Sequence, residues 1–360
     1  MVGLAVAREL RARGATVAVL ERDGVGAGAS GVQPGGVRQQ WGTRVACRLA
    51  RESVAFWRNA DAHLTSHVPL TLRSGGYLFV AQSNETLAVL EANVRLQNDE
   101  GVPSRIVTAA EAAEIVPGLV AVGIAGGAWC EEDGYFDHPQ AVVEAFAHGI
   151  EVRRARVEAI RRDGDGWLLE TGPEGSIAAD TVVVAAGVES PALVGPLGVS
   201  LPIVAEDRYL FLSDPVRERL LEPLVVAPEL AFAAKQLADG RVLASDLGAR
   251  GDAGEGRDRW RTTIRNATER LLPQLAHVSY PLLVRGVYDV TPDHQPVLGP
   301  VGGADDLVVA AGFSGHGFMI APAVARIVAD AVFGHRDPVL DVLGVDRFAA
   351  DRLVPEPQLV

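Results

Sequence analysis

The sequence predicts an α/β chain in which a discontinuous parallel-sheet domain carries an antiparallel, β-rich one. Three observations predict it. A helix–glycine–strand unit comes first: Val2, Val6 and Leu10 fall at helical spacing, Gly14 stops the helix, and Thr16–Leu20 is a short apolar run ending at Glu21. Two strand–glycine–helix units follow much later, at Thr181–Gly187 and Leu307–Phe318. Continuous apolar runs of this kind suit strands covered on both faces. Between them the rhythm changes to short strands punctuated by Asp163-Gly-Asp-Gly166 and Gly172-Pro-Glu-Gly175, which are hairpin-turn signals. Parallel units at both ends with β-rich inserts give the interleaved arrangement.

The remaining elements follow in order. A Gly-rich loop spans Gly24 to Gly36, and a helix is expected from about Thr43 to Ala60, with Val45, Leu49 and Phe56 along one side. Leu72–Val80 reads as one strand, and Thr86–Asp99 as a helix ended by Gly101. Thr108-Ala-Ala-Glu111 is a capping box, in which hydroxyl and carboxylate satisfy each other's backbone N–H groups. Pro139 suits the first turn of a helix reaching Ala147. Strands are expected around Arg208–Leu212 and Val242–Ala244, a helix from about Arg257 to Leu272, and strands again to Val290. A last helix runs to about Val332.

Composition narrows the function. Over 360 residues the formal net charge is −13, so the basic surface that releases counterions from nucleic acid is missing. One or two arginines in such a chain still suffice to hold a carboxylate. Two cysteines, Cys47 and Cys130, are too few for a disulfide framework, a Cys-rich zinc site or an iron–sulfur cluster, and fit a reducing, cytoplasmic setting. No metal is expected, and no apolar run is long enough to span a membrane. Of 33 cationic residues only Lys235 is a lysine.

Chemistry concentrates in the glycine turns. In a dinucleotide fold, an acidic residue ending the second strand bonds ribose hydroxyls about 20 residues beyond the turn that delivers pyrophosphate to a helix N-terminus. Glu21 fits that acid, and Gly3 fits the last glycine of G-x-G-x-x-G. A strand and two more glycines are therefore expected ahead of Met1. The loop with Gly28, Ser30, Gly31, Gly35 and Gly36 lets backbone pass close to a flat or phosphorylated ligand. The exit at Gly312-Phe-Ser-Gly-His-Gly-Phe318 offers N–H groups at a helix start.

The chain resembles the D-amino-acid-oxidase-type FAD-dependent oxidoreductases, the glycine/sarcosine oxidase and dimethylglycine dehydrogenase group. The carriers are Leu20-Glu-Arg22, Gly26-Ala-Gly-Ala-Ser30, Gly35-Gly-Val-Arg-Gln-Gln-Trp41, Asp133-Gly-Tyr135, Val183-Val-Ala-Ala-Gly187, Tyr288-Asp-Val-Thr-Pro-Asp293 with Pro296-Val-Leu-Gly299, and Gly312-Phe-Ser-Gly-His-Gly-Phe-Met319. The resemblance implies a glutathione-reductase-like FAD-binding Rossmann-type domain, its N-terminal strand missing here, over 1–70, 137–203 and 284–360. A β-rich substrate domain would take 71–136 and 204–283. It implies oxidation of a C–N bond in a small amino acid or N-methyl amino acid, with O2 or an electron-transfer partner as acceptor. FAD contacts would fall on Gly3, Glu21, Arg22, Gly28, Ser30, Gly35, Gly36, Val37, Val157, Ala186 and Gly187. They would continue on Gly312, Ser314, Gly315, His316, Gly317, Phe318 and Met319.

The sequence also departs from the family pattern. Gly286 stands where some members carry a flavin-tethering cysteine, and the N-terminal Gly-rich loop has no histidine, so the FAD is expected to be noncovalent. Without the upstream strand it is expected to bind weakly. Met319 replaces the substrate-binding lysine of sarcosine oxidases, and Tyr288 the arginine of glycine and D-amino-acid oxidases. Arg38 is the candidate carboxylate anchor, with a structural salt bridge as the alternative. Lys235 reads first as a solvated lysine and second as a group that steers O2 or a carboxylate. His316 reads as a positioning group more than a base, and His138, His294, Asp293 and the cysteines as structural. In the implied mechanism Arg38 orients the substrate for hydride transfer to flavin N5, and N–H groups of the 312–318 loop stabilise the charge on reduced flavin. A 2-hydroxy-acid or polyol dehydrogenase, a flavoprotein subunit active only in a complex, and an inactive truncated product are the other readings.

Overall fold

Helix Val2–Ala12 packs against helix Gly317–Val332, so the first and last parts of the chain share one core. Leu4, Val6 and Leu10 share that core with Val324, Ile327 and Val328. The computed structural model describes residues 1–357, apart from the side chain of Glu174. Strand Ala18–Glu21 pairs in parallel with Glu151–Arg154, Leu20 opposite Arg153. Strand Val182–Val184 pairs in parallel with Ala304–Ala311, and Val297–Val301 closes that group antiparallel. These two parallel pairs are not hydrogen-bonded to one another. The Asp163–Gly166 and Gly172–Gly175 turns join the antiparallel strands Ala159–Asp163, Gly166–Glu170 and Ser176–Ala179, as their glycines predict.

The β-rich part is one eight-stranded sheet. Its order runs Leu282–Val290, Val204–Pro215, Arg241–Asp246, Phe232–Gln236, Leu224–Ala227, Tyr77–Ala81, Gly126–Cys130 and Arg105–Val107. Every junction is antiparallel except Leu224–Ala227 with Tyr77–Ala81. Helix Ala253–Leu271 buries Trp260 and Ile264 against Phe211 and Phe232 of this sheet. Along the longest pairing Glu206 faces Tyr288 and Arg208 faces Gly286. Side chains alternate across a strand, so these four positions share one face and Asp207 lies on the other.

Two expectations change in detail. Leu72–Val80 is two strands, Leu72–Arg73 and Tyr77–Ala81, in different sheets. Gly76 makes the break, with φ +81° and the Trp129 ring occupying the place of a Cβ. The Gly-rich loop contains one helical turn, Ala29–Val32, before strand Gly36–Val37. The Thr108–Glu111 capping box is complete, and Pro139 stands at the first turn of helix Pro139–Ala147.

Candidate active site

A cavity of about 1880 Å³ opens between the two parallel pairs and continues along the eight-stranded sheet. Ligand pockets ordinarily measure roughly 300–1,000 Å³, so this space suits a large cofactor together with a small substrate. The glycine turns converge on it. Gly3, Gly28, Gly36 and Gly187 line it, with Glu21, Arg22, Ser30, Val157 and Ala186. Ser314, Gly315, Gly317, Phe318 and Met319 line the other end of that wall. Gly35, Val37 and Gly312 lie behind the wall: a Cβ on Gly35 would meet the Phe136 carbonyl, Val37 is in the core, and a Cβ on Gly312 would meet Thr291.

This wall is main chain in character. Gly28 has nothing within 4 Å of a Cβ position, and Gly187 only Asp289 Oδ2 at 3.9 Å, so side chains there would occupy the cavity itself. Gly3 packs on Ala185, with 3.3 Å between its Cβ position and the alanine methyl. Glu21 Oε1 accepts the Asp23 N–H at 2.9 Å. Arg22 pairs with Asp23 at 2.7 Å and with Glu189. The 312–318 loop offers fewer donors than expected. Asp289 Oδ2 accepts the Gly312 N–H at 2.8 Å, and the Asp289 carbonyl accepts the Ser314 N–H at 3.1 Å. The donors left to the cavity are the Gly315 N–H, which finds no acceptor among the described residues, and those of residues 317–319, in the first turn of helix Gly317–Val332, where intrahelical acceptors are lacking. Glycine cradles beside a helix start are what an extended, phosphate-bearing and acceptor-rich cofactor needs, so the residues present fit FAD.

The facing wall is built from side chains. Arg38 is only 2% exposed, and its guanidinium lies 3.8 Å over the Trp41 ring. Nη1 donates to the Gln40 carbonyl at 3.3 Å. Burial lowers its pKa, opposed first by the Glu356 carboxylate. The segment carrying it is clamped by Asp133, whose carboxylate accepts the Gln39 N–H at 2.8 Å and Gln40 Nε2 at 3.0 Å. Burial pushes Asp133 up to about 6. The sequence marks that residue only as part of a motif, and its clamping role needs the fold.

His316 caps helix Gly317–Val332 and meets Trp41 edge-on at 4.3 Å. Burial, then Arg38 and His294, hold its pKa well below the ordinary 6.5. Its imidazole is therefore neutral and a poor proton acceptor. Tyr288 stands on the cavity face and lies against Gly315, whose φ is +90° and whose Cβ position is 2.1 Å from that ring. Burial raises the Tyr288 hydroxyl.

Lys235 corrects the sequence reading. It is 1% exposed rather than solvated, lines the cavity, donates to the Pro34 carbonyl and sits 4.1 Å over the Tyr135 ring. Burial lowers its amine to about 7. Of the residues read as structural, His294 instead lines the cavity, whereas His138, Asp293 and the cysteines do not. Asp293 is paired with Arg347 in a buried bridge at 2.8 Å, and the two free cysteines are buried away from the cavity. Among the described residues no helix is long and apolar enough to cross a membrane, and no cluster of His, Cys, Asp and Glu could hold a metal.

Comparison with known proteins agrees with this geometry. A family model described as FAD dependent oxidoreductase matches residues 1–331. A glycine oxidase of Pseudomonas aeruginosa is 28% identical over 352 residues, covering 95% of this chain and 94% of the relative. The structure of L-proline dehydrogenase from P. horikoshii superimposes with a TM-score of 0.89 at 25% identity, covering 98% of this chain and 96% of that one. Glycine oxidase from Geobacillus kaustophilus shares the fold with a TM-score of 0.84 at 24% identity, covering 96% of each chain.

Proposed function

Because the chain belongs to the FAD dependent oxidoreductase family, we propose that it oxidises the C–N bond of a small amino acid or N-methyl amino acid. The observation that carries this reading is Arg38: a buried guanidinium on the cavity wall, stacked on Trp41, in a segment fixed by Asp133. A planar, delocalised cation held in this way takes a carboxylate bidentately. The glycine oxidase and L-proline dehydrogenase relatives support an amino-acid substrate.

When bound, FAD supplies the two-electron sink for the C–H bond being broken. The chain's own residues do the rest. Arg38 binds the carboxylate and fixes the reacting carbon in place. Lys235, neutral above about pH 7, takes a proton from the substrate ammonium and leaves the amine lone pair available. His316 and Trp41 pack as a rigid edge beside Arg38, and Tyr288 closes the cavity over Gly315. Residues 1–70, 137–203 and 291–357 make the cofactor-binding part in this reading, and 71–136 with 204–290 the substrate part, because strand Leu282–Val290 belongs to the eight-stranded sheet and not, as the expected boundary at 284 had it, to the cofactor side. The acceptor is O2 or an electron-transfer partner, and two unpaired buried thiols suit a cytoplasmic setting. The flavin is noncovalent, because Gly286 offers no thiol and both cysteines lie outside the cavity.

Arg38→Ala and Arg38→Lys test the reading by anaerobic flavin reduction with a panel of amino acids. Both variants should keep FAD, released into the supernatant on acid precipitation, and reduction should slow on the order of 10²-fold. Reduction by amino acids at the parental rate in Arg38→Ala would place the anchor elsewhere and reopen the substrate class.

A further inference from the structure

The shared face of Glu206, Arg208, Gly286 and Tyr288 carries charges that the chemistry above does not use. Glu206 Oε2 meets Arg208 Nη1 at 2.6 Å and Arg250 Nε at 3.4 Å, and all three residues line the cavity. Two guanidiniums thus share one carboxylate, which leaves one positive charge over in a chain of net charge −13. The neighbouring Asp207 does not supply the balance, since it is turned to the opposite face and paired with Arg285 at 2.8 Å. Repulsion from Arg208 adds to burial in lowering the Arg250 pKa.

Both arginines are held in place without being used up. Arg250 Nη1 donates to the Leu247 and Ala249 carbonyls at 2.9 and 2.8 Å, and Arg208 Nη1 to the Asp207 carbonyl at 3.1 Å. Among the described residues neither Nη2 group makes a hydrogen bond. Arg208 lies 5.0 Å from the centroid of the Tyr288 ring, and the charges of Arg208 and Arg38 both act on the Tyr288 hydroxyl. One cavity therefore holds two separate cationic positions along the Tyr288 side.

We propose that Arg208 and Arg250 bind a second carboxylate, so that the preferred substrate is an amino acid with a distal acidic group. The proposal rests on the amino-acid reading above for its first carboxylate, which Arg38 takes. Glu206 sets the strength of the second site, because it holds the two guanidiniums together and offsets part of their charge.

The test uses FAD-loaded protein and separates the anion site from turnover. Straight-chain diacids from malonate to pimelate are titrated against monoacids of matched length, followed by the flavin absorbance change. Both enantiomers of glutamate and glutamine are then compared in anaerobic reduction. At least one diacid should bind on the order of tenfold more tightly than its monoacid, the effect of one charge-assisted contact. Glutamate should exceed glutamine in rate over Kd. Arg208→Gln and Arg250→Gln should each erase the diacid preference and leave monoacid binding unchanged, whereas Glu206→Gln should widen it. Equal binding of diacids and monoacids, or a preference that survives in both arginine variants, overturns the proposal. Arg208-dependent diacid binding without reduction by any amino acid would uphold the anion site and refute the amino-acid reading instead.

Discussion

On one side of the cavity Gly3, Gly28, Gly187 and Gly315 bring main chain to the surface; on the other, Arg38, Lys235, Tyr288 and Arg208 bring side chains to it. A glycine wall holds its ligand by shape and by N–H groups that every sequence possesses, so it serves a cofactor common to a whole family. A side-chain wall holds its ligand by charge and donor geometry, which single substitutions rewrite, so in the function proposed above it is the wall that selects the substrate. The two meet where the Tyr288 ring covers Gly315.

The largest effect should come from breaking that contact. Gly315→Val puts a side chain on the Tyr288 ring at a φ of +90°. Backbone strain alone is worth about 1–3 kcal/mol. Stoichiometric FAD binding should be lost, as read by the flavin-to-protein absorbance ratio. A Gly315→Val protein with a full complement of FAD would show that side chains are tolerated in that wall.

Lys235→Met should spare the cofactor and slow reduction on the order of 10²-fold, the usual worth of a positioned proton acceptor. Its stability effect has a defined sign. The folded amine titrates near 7 against an ordinary 10.5, so burial destabilises the fold most below pH 7, and the cost fades as pH rises towards 10.5. Lys235→Met should therefore raise the Tm most at pH 6 to 7 (scanning calorimetry across pH), with a gain that shrinks in alkali. A pH-independent gain would mean that the amine is not held neutral.

Glu21→Ala should have the smallest effect. Charge-assisted hydrogen bonds of about 1.5–3 kcal/mol would be lost, weakening FAD roughly tenfold or more with reduction of bound flavin unchanged. Unchanged FAD affinity with a lower Tm would confine Glu21 to bracing the Asp23–Gly24 turn.

The glycine wall was largely legible in the sequence and the side-chain wall only in part. Strand Val182–Val184 is a short apolar, β-branched run closed by Gly187, and Thr108–Glu111 carries its own capping chemistry, so local pattern sufficed. Leu224–Ala227 and Phe232–Gln236 are four- and five-residue strands without alternation, recognisable only from their neighbours in the sheet. Lys235 looked solvated because lysines usually are. Its burial is decided by Pro34 and Tyr135, which lie 201 and 100 residues away in the chain. Arg208 and Arg250 escaped notice because only the register between Val204–Pro215 and Leu282–Val290 turns Arg208 towards Tyr288. Glycine turns are written in consecutive residues, and a charged constellation is written in pairings.

Lys235 is also the one lysine in 360 residues, and it sits inside strand Phe232–Gln236, near the middle of the eight-stranded sheet. A lysine-specific endoprotease therefore has a single bond to cut, and the intact strand withholds it. Each cut records an opening of that sheet, and the products are two fragments of fixed length instead of a ladder. Where closing outpaces cleavage, the rate of their appearance follows the population of the open form. Comparing that rate with and without FAD would measure how firmly the cofactor holds shut a part of the molecule that digestion by less selective proteases would blur.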